Sequence, residues 1–137
     1  MAAYQKFQPF IGKAFNGEVN LATDVCMVAL TNVLPVATAA TIGEINEISY
    51  TNCTSRVLEE QTSVETGGIY KFGVKDLTLT ATGGPVGAFR WVVVYDSTAG
   101  GSLIAWFDYG VEGGITLQDT ETLTVNFSEQ NGLFTAV

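Results

Sequence analysis

Residues 77–110, LTLTATGGPVGAFRWVVVYDSTAGGSLIAWFDYG, constrain the fold more than any other part of the chain. They read as three apolar strands cut by two glycine-rich turns. In the first run Leu77, Leu79 and Ala81 alternate with Asp76, Thr78 and Thr80, the period-two pattern of a strand with one wet face. Residues 88–95, AFRWVVVY, are apolar on both faces except at Arg90, as a central strand packed above and below requires. Residues 96–101 supply a turn, and residues 103–109 return as an aromatic-rich antiparallel neighbour. No catalytic constellation interrupts this stretch, which therefore points to a β-rich structural or binding protein.

The remaining segments extend the same pattern. Residues 25–31, VCMVALT, lie between turn-prone Asp24 and Asn32 and are predicted as a buried strand. Residues 32–55 lose periodicity and are predicted as mostly loop, with a short helix or edge segment near EINEISY. Residues 56–64 fit a strand exposing Glu59 or Glu60, followed by a Gly67-Gly68 turn. In residues 121–127, Leu123, Val125 and Phe127 point inward and Thr122, Thr124 and Asn126 outward, and Asn131-Gly132 signals a hairpin into the final LFTAV. At the N-terminus Tyr4, Phe7, Phe10, Ile11 and Phe15 recur at helix-like spacing that Pro9 and Gly12 interrupt. A short helix starting after Gln8, with Pro9 in its first turn, and ending near Asn16 and Gly17 satisfies that pattern. These aromatics need burial, either as a flap over the domain's own core or as an arm on a neighbouring subunit. The fold expected is all-β, an antiparallel β-sandwich or jelly roll of about eight strands with a short N-terminal helix or arm. Residues 1–18 form that arm and residues 19–137 a single β-sandwich domain. A chain of 137 residues has the size of one domain and buries about two thirds of its unfolded surface.

Charge narrows the function classes. Fourteen acidic and six basic side chains leave a net charge of −8, which disfavours a nucleic-acid partner because phosphate binding rests on lysine and arginine. No apolar run is long enough for a membrane-spanning helix, and no leader-like n-region and h-region opens the chain. With only 15% charged residues, a β-rich surface leaves neutral or apolar patches that need a partner, so assembly into a homo-oligomer is expected. Cys26 and Cys53 are expected as reduced thiols, Cys26 buried within its apolar run.

The absence of histidine removes Ser-His-Asp and Cys-His nucleophilic chemistry and histidine-bearing zinc sites. There is no phosphate-loop or dinucleotide fingerprint, and Gly83, Gly84, Pro85 and Gly87 are turn punctuation. Glu59, Glu60, Asp96, Asp108 and Glu112 are the carboxylates from which a glycosidase pair would have to come, but they read as a solvated acidic surface. Residues 96–108 lack the ligand spacing of an EF-hand loop, and no metal or cofactor is expected. Trp91, Trp106 and Tyr109 would make a sugar-stacking platform if they faced outward, although their strands favour burial. Arg90 must reach a carboxylate, snorkel to an edge or meet another subunit, and Asp108 on the neighbouring strand is its candidate partner.

The order of AFNGEVNLATD, VCMVALT, INEIS, VKDLTLTATGG, FRWVVVYDSTAGGSLIAWFDYG and TLTVNFSEQNGLFTA resembles a family of small tailed-bacteriophage virion proteins. The resemblance runs from about Lys13 to Ala136, is best over YDSTAGGSLIAWFDYG, and includes a shorter middle region than longer members have. It implies a capsid decoration (cement) protein on the outer surface of the virion, bound to the major capsid protein and stabilising the head by bridging capsomers as a trimer or dimer. Tyr4, Phe7, Phe10 and Phe15 are then the candidate partner-binding residues. A carbohydrate- or host-binding module of a tail or head fibre is the alternative, with Trp91, Trp106 or residues 96–101 on the glycan.

Overall fold

The computed structural model describes residues 4–127 and 132–136. In chain order these form β1 Tyr4–Lys6, α1 Pro9–Phe15, β2 Cys26–Thr31, β3 Thr62–Thr66, β4 Ile69–Gly73, β5 Leu77–Thr80, β6 Val86–Phe89, β7 Trp91–Asp96, β8 Ser102–Asp108, β9 Ile115–Leu117, β10 Thr122–Val125 and β11 Phe134–Ala136. Every pairing among them is antiparallel, so the described residues are all-β with one short α-helix and a 3-10 turn at Ile42–Glu44, in the all-β class that the sequence predicts. The described residues hold eleven strands rather than about eight.

The largest sheet has the order β1-β8-β7-β2, and three smaller ones, β11-β4-β3, β10-β5 and β6-β9, complete the structure. The expected hairpin at residues 96–101 is its centre, with Trp91 opposite Asp108 and Val93 opposite Trp106. Ile104 is an extra residue on β8, because Val94 pairs with Ala105 and Tyr95 with Leu103. The single strand expected over residues 88–95 is instead divided. β6 pairs with β9, β7 pairs with β2 and β8, and Arg90 between them carries the chain from one sheet to another.

Both faces of the β1-β8-β7-β2 sheet are buried, which explains why β7 is apolar throughout. One face contributes Val28, Leu30, Val92, Val94 and Phe107 to the main core, where they meet Phe72, Leu79, Phe89, Leu117 and Val125 from the smaller sheets. The other face carries Ala29, Trp91, Val93, Leu103 and Trp106, covered by Phe7 and by Ala37, Ala39, Ile42 and Ile45. That irregular cover is held by backbone bonds from Ile42 N–H to the Gly101 carbonyl and from Leu103 N–H to the Ala40 carbonyl. Gly101, at φ +78°, lies directly against Ile42, and a Cβ there would drive into the Ile42 side chain.

The outer edge of β2 is capped by the segment that lost periodicity in the sequence and by residues 56–58, since the strand expected over residues 56–64 begins only at Thr62. Val28 N–H donates to the Arg56 carbonyl, Ile48 N–H to the Leu30 carbonyl and Leu58 N–H to the Cys26 carbonyl. Arg56 stacks on Tyr50 at 3.6 Å and donates to the Val28 carbonyl, while the Tyr50 hydroxyl accepts from Leu30 N–H. This cover satisfies an otherwise bare edge without a regular strand.

Inward Val125 and Phe127 and outward Thr122, Thr124 and Asn126 match the alternation read from the sequence. The hairpin signalled at Asn131-Gly132 is corrected in its pairing. β10 lies beside β5 and β11 beside β4, so the two strands join different sheets, and Asn131 itself lies outside the described residues. The Gly67-Gly68 turn joins β3 to β4 as expected, with Glu59 and Glu60 exposed ahead of β3.

Candidate functional site

The N-terminal segment forms a short edge strand and one helix. Tyr4 pairs with Phe107 and Lys6 with Ala105, which adds β1 to the central sheet. Pro9 opens α1, where its missing N–H costs nothing, and the helix closes at Asn16 and Gly17, whose N–H groups bond to the Gly12 and Ala14 carbonyls. Phe7 and Phe10 are buried in this chain's own structure, Phe7 against Trp106 at 4.6 Å and Phe10 edge-on to Phe134 at 5.5 Å. Tyr4 is half-buried and stacks on Phe134, and its burial pushes its phenol pKa up to about 12. Of the four candidate aromatics only Phe15 stands free, 86% exposed. The segment is therefore a built-in part of the fold, and its removal would open both cores.

Phe15 and Ile11 form one lip of an apolar groove of about 460 Å³ between α1, the 17–22 segment and the β11-β4-β3 sheet. Phe10, Tyr70 and Phe134 line its floor. A second apolar surface is the loop after β2, where Val33, Leu34 and Val36 are 53%, 62% and 64% exposed around Pro35. Asn32 ties this loop to the 110–114 turn through the Gly113 carbonyl, beside exposed Val111. The 17–22 segment precedes β2 and the 33–36 loop follows it, and just beyond the loop the Ala37 carbonyl accepts from Gln8 N–H at the start of α1.

Arg90 reaches Asp108 as the sequence suggested, in a two-pronged pair with Nε to Oδ1 at 2.8 Å and Nη2 to Oδ2 at 3.1 Å. The guanidinium holds the Asp108 carboxyl below the usual range, helped by Gly110 N–H. Its guanidinium also covers the Trp91 ring at 4.9 Å. The charge is thus resolved within the chain.

The carboxylates do not assemble as a glycosidase pair would need. Glu59, Glu60 and Glu112 are exposed, and Asp108 belongs to Arg90. Asp96 is fully buried and meets Asp24, a residue the sequence did not single out. Asp96 Oδ1 accepts from the Thr98 and Ala99 N–H groups, which shapes the turn into β8. Burial first, and Asp24 second, push its pKa up to about 7, while the hydrogen bond from Asp96 and one from Asn20 N–H lower that of Asp24. The two carboxyls compete for one proton, which Asp96 keeps and Asp24 gives up. Around them Ser97 N–H and Oγ donate to the Val25 carbonyl, and Val25 N–H donates to Thr98 Oγ1.

Both cysteines are free thiols, Cys26 buried and Cys53 half-buried. Burial, reinforced by Asp96 and Asp24, pushes Cys26 up to about 12, and burial also raises Cys53. The thiolate is the reactive species, so iodoacetamide at pH 8 should leave Cys26 unmodified in the native protein. Mass spectrometry should find it carboxymethylated only after denaturation in guanidinium. Rapid native labelling of Cys26 would contradict this placement.

Trp91 and Trp106 are each 9% exposed and belong to the second core, so the sugar-stacking platform does not form. Among the described residues no group of three or more acidic, cysteine or histidine side chains is gathered for a metal ion, and no helix is long and apolar enough to cross a membrane. No protein-family model, curated protein or solved structure matches the chain. The groove and the 33–36 loop are the surfaces that sequence reading missed. For the loop a signal existed, three aliphatic residues around Pro35 with neither helix nor strand period; for the groove, assembled from α1, the 17–22 segment and three distant strands, there was none.

Proposed function

We propose that the protein is a structural component of a tailed-bacteriophage virion, a decoration protein that binds the major capsid protein on the outer capsid and strengthens the head by bridging capsomers. The observation that supports this reading is the pair of apolar surfaces flanking β2. They lie before and after a six-residue strand, itself about 20 Å long, on a sheet packed on both faces. A rigid body with two separated sticky surfaces joins two neighbours, and simultaneous engagement makes the joint tighter than either contact alone. Water-exposed Phe15, Val33, Leu34 and Val36 are unfavourable in a free monomer and favourable in such an assembly. The acidic surface keeps the free chain soluble before it assembles, and a trimer or dimer at a local symmetry axis would multiply the contacts.

The test is co-sedimentation of the purified protein with empty capsids of the phage whose genome encodes it. The wild-type chain should saturate the capsid surface, and Phe15→Asp and Leu34→Asp should each lower occupancy about tenfold or more. Wild-type protein that stays in the supernatant, or a double variant that binds as well as wild type, would overturn the proposal.

A further inference from the structure

The groove beside α1 combines an uncharged lining with an acidic border. Its lining residues are apolar or neutral, from Phe10 and Phe15 on the helix to Tyr70 and Phe134 on the sheet. Glu18 lies exposed between the lining residues Gly17 and Val19. Glu65 is exposed opposite Tyr70 in the β3–β4 register, on the same face of that sheet. Asp24 accepts a hydrogen bond from the lining residue Asn20. The nearby lysines turn elsewhere. The Lys13 ammonium donates to the Ala40 carbonyl and Ser102 Oγ, and Lys71 points from the opposite face of its strand.

We infer that this groove is a docking site for a segment of another protein that presents an aromatic or branched aliphatic anchor flanked by lysine or arginine. The anchor gains by leaving water among Phe10, Phe15, Tyr70 and Phe134, and the flanking cations meet Glu18, Asp24 and Glu65 at the rim. Charge also decides against a second copy as the occupant. Two copies meeting through this face would bring the same acidic rim against itself in a chain of net charge −8. The inference stands on the groove and its border alone and does not need the virion reading.

The test uses the full chain and a short fluorescent peptide with one tryptophan between lysine pairs, followed by anisotropy at two salt concentrations. Saturable binding is expected, weakening with salt and falling about tenfold for Phe15→Ala or for Glu18→Lys combined with Glu65→Gln. Ala22→Trp, which plugs the groove from its exposed rim, should abolish binding while the circular dichroism spectrum is kept. A control peptide with alanine for tryptophan, and another with glutamate for lysine, should bind at least tenfold more weakly. Equal binding of the control peptides, or binding indifferent to all these substitutions, would overturn the inference. Self-association in sedimentation that Phe15→Ala abolishes would overturn the choice of occupant.

Discussion

Phe7→Ala should destabilise the protein by about 3 to 5 kcal/mol, the cost of emptying a fully enclosed aromatic site. Phe7 has no exposed surface, packs on Trp106 and anchors the turn between β1 and α1 through its N–H to the Ile104 carbonyl. The loss is a large part of the stability of an ordinary domain, about 5 to 15 kcal/mol. Urea unfolding followed by tryptophan emission should show the midpoint falling steeply and Trp106 shifting to the red in the native baseline. Phe15→Ala, seven-eighths exposed by comparison, should move the same midpoint by no more than about 0.5 kcal/mol. Equal effects of the two substitutions would show that the N-terminal segment does not pack as described. The contrast matters for function, because capsid or peptide binding lost through Phe15 is a surface effect, whereas binding lost through Phe7 is a folding effect.

Asp96→Asn should abolish a loss of stability that the wild-type protein suffers as pH rises. In the folded chain Asp96 keeps its proton up to about pH 7, against an ordinary value of 3.8. The folded state therefore binds more protons between those values, so this residue's contribution is complete below pH 4 and is lost as pH climbs to 7. Asp24, lowered from the same ordinary value, changes its contribution only below about pH 4 and leaves the range above unchanged. The expected decline from pH 5 to pH 8 is on the order of 2 kcal/mol, the part of the Asp96 shift that lies in that range. An asparagine at position 96 still accepts from Thr98 and Ala99 N–H through its oxygen and carries no proton to lose as pH rises. Its unfolding midpoint should be flat from pH 5 to 8 and higher than wild type at pH 8. Parallel wild-type and variant curves would show that the two carboxyls do not share a proton.

Much of the fold was legible because local pattern and tertiary outcome agreed. Residues 103–109 return beside β7 and residues 25–31 form a buried strand, as their apolar runs imply, and Pro9, Asn16 and Gly17 bound α1 where helix-terminus chemistry places them. Sequence pattern failed where one run serves two sheets. Nothing in AFRWVVVY marks Arg90 as the point of transfer, because Val86–Phe89 and Trp91–Asp96 are apolar in the same way and differ only in their partners. The Asn131-Gly132 signal identified a turn but not a pairing, since the choice of β4 over β10 as the neighbour of β11 depends on residues far away in the chain. The Asp24–Asp96 contact was hidden for the same reason. Its members are in the turn before β2 and at the last position of β7, which only the antiparallel register brings together. The aromatic spacing of the first fifteen residues revealed a need for burial without saying where, and the answer is mostly inward.

The aromatic cluster around Phe134 also bears on how the molecule comes into being. Phe134 touches Tyr4 and Phe10 from one end of the chain and Tyr70 and Phe72 from its middle. Such distant partners make the relative contact order high, and refolding belongs on the millisecond-to-second scale typical of all-β topologies. A nascent polypeptide leaving the ribosome cannot close its largest sheet before β8 has emerged, nor complete this cluster before β11 follows. Until then the valines of β7 are incompletely covered and sticky, so rapid overexpression should divert chains into inclusion bodies that slower synthesis at low temperature avoids.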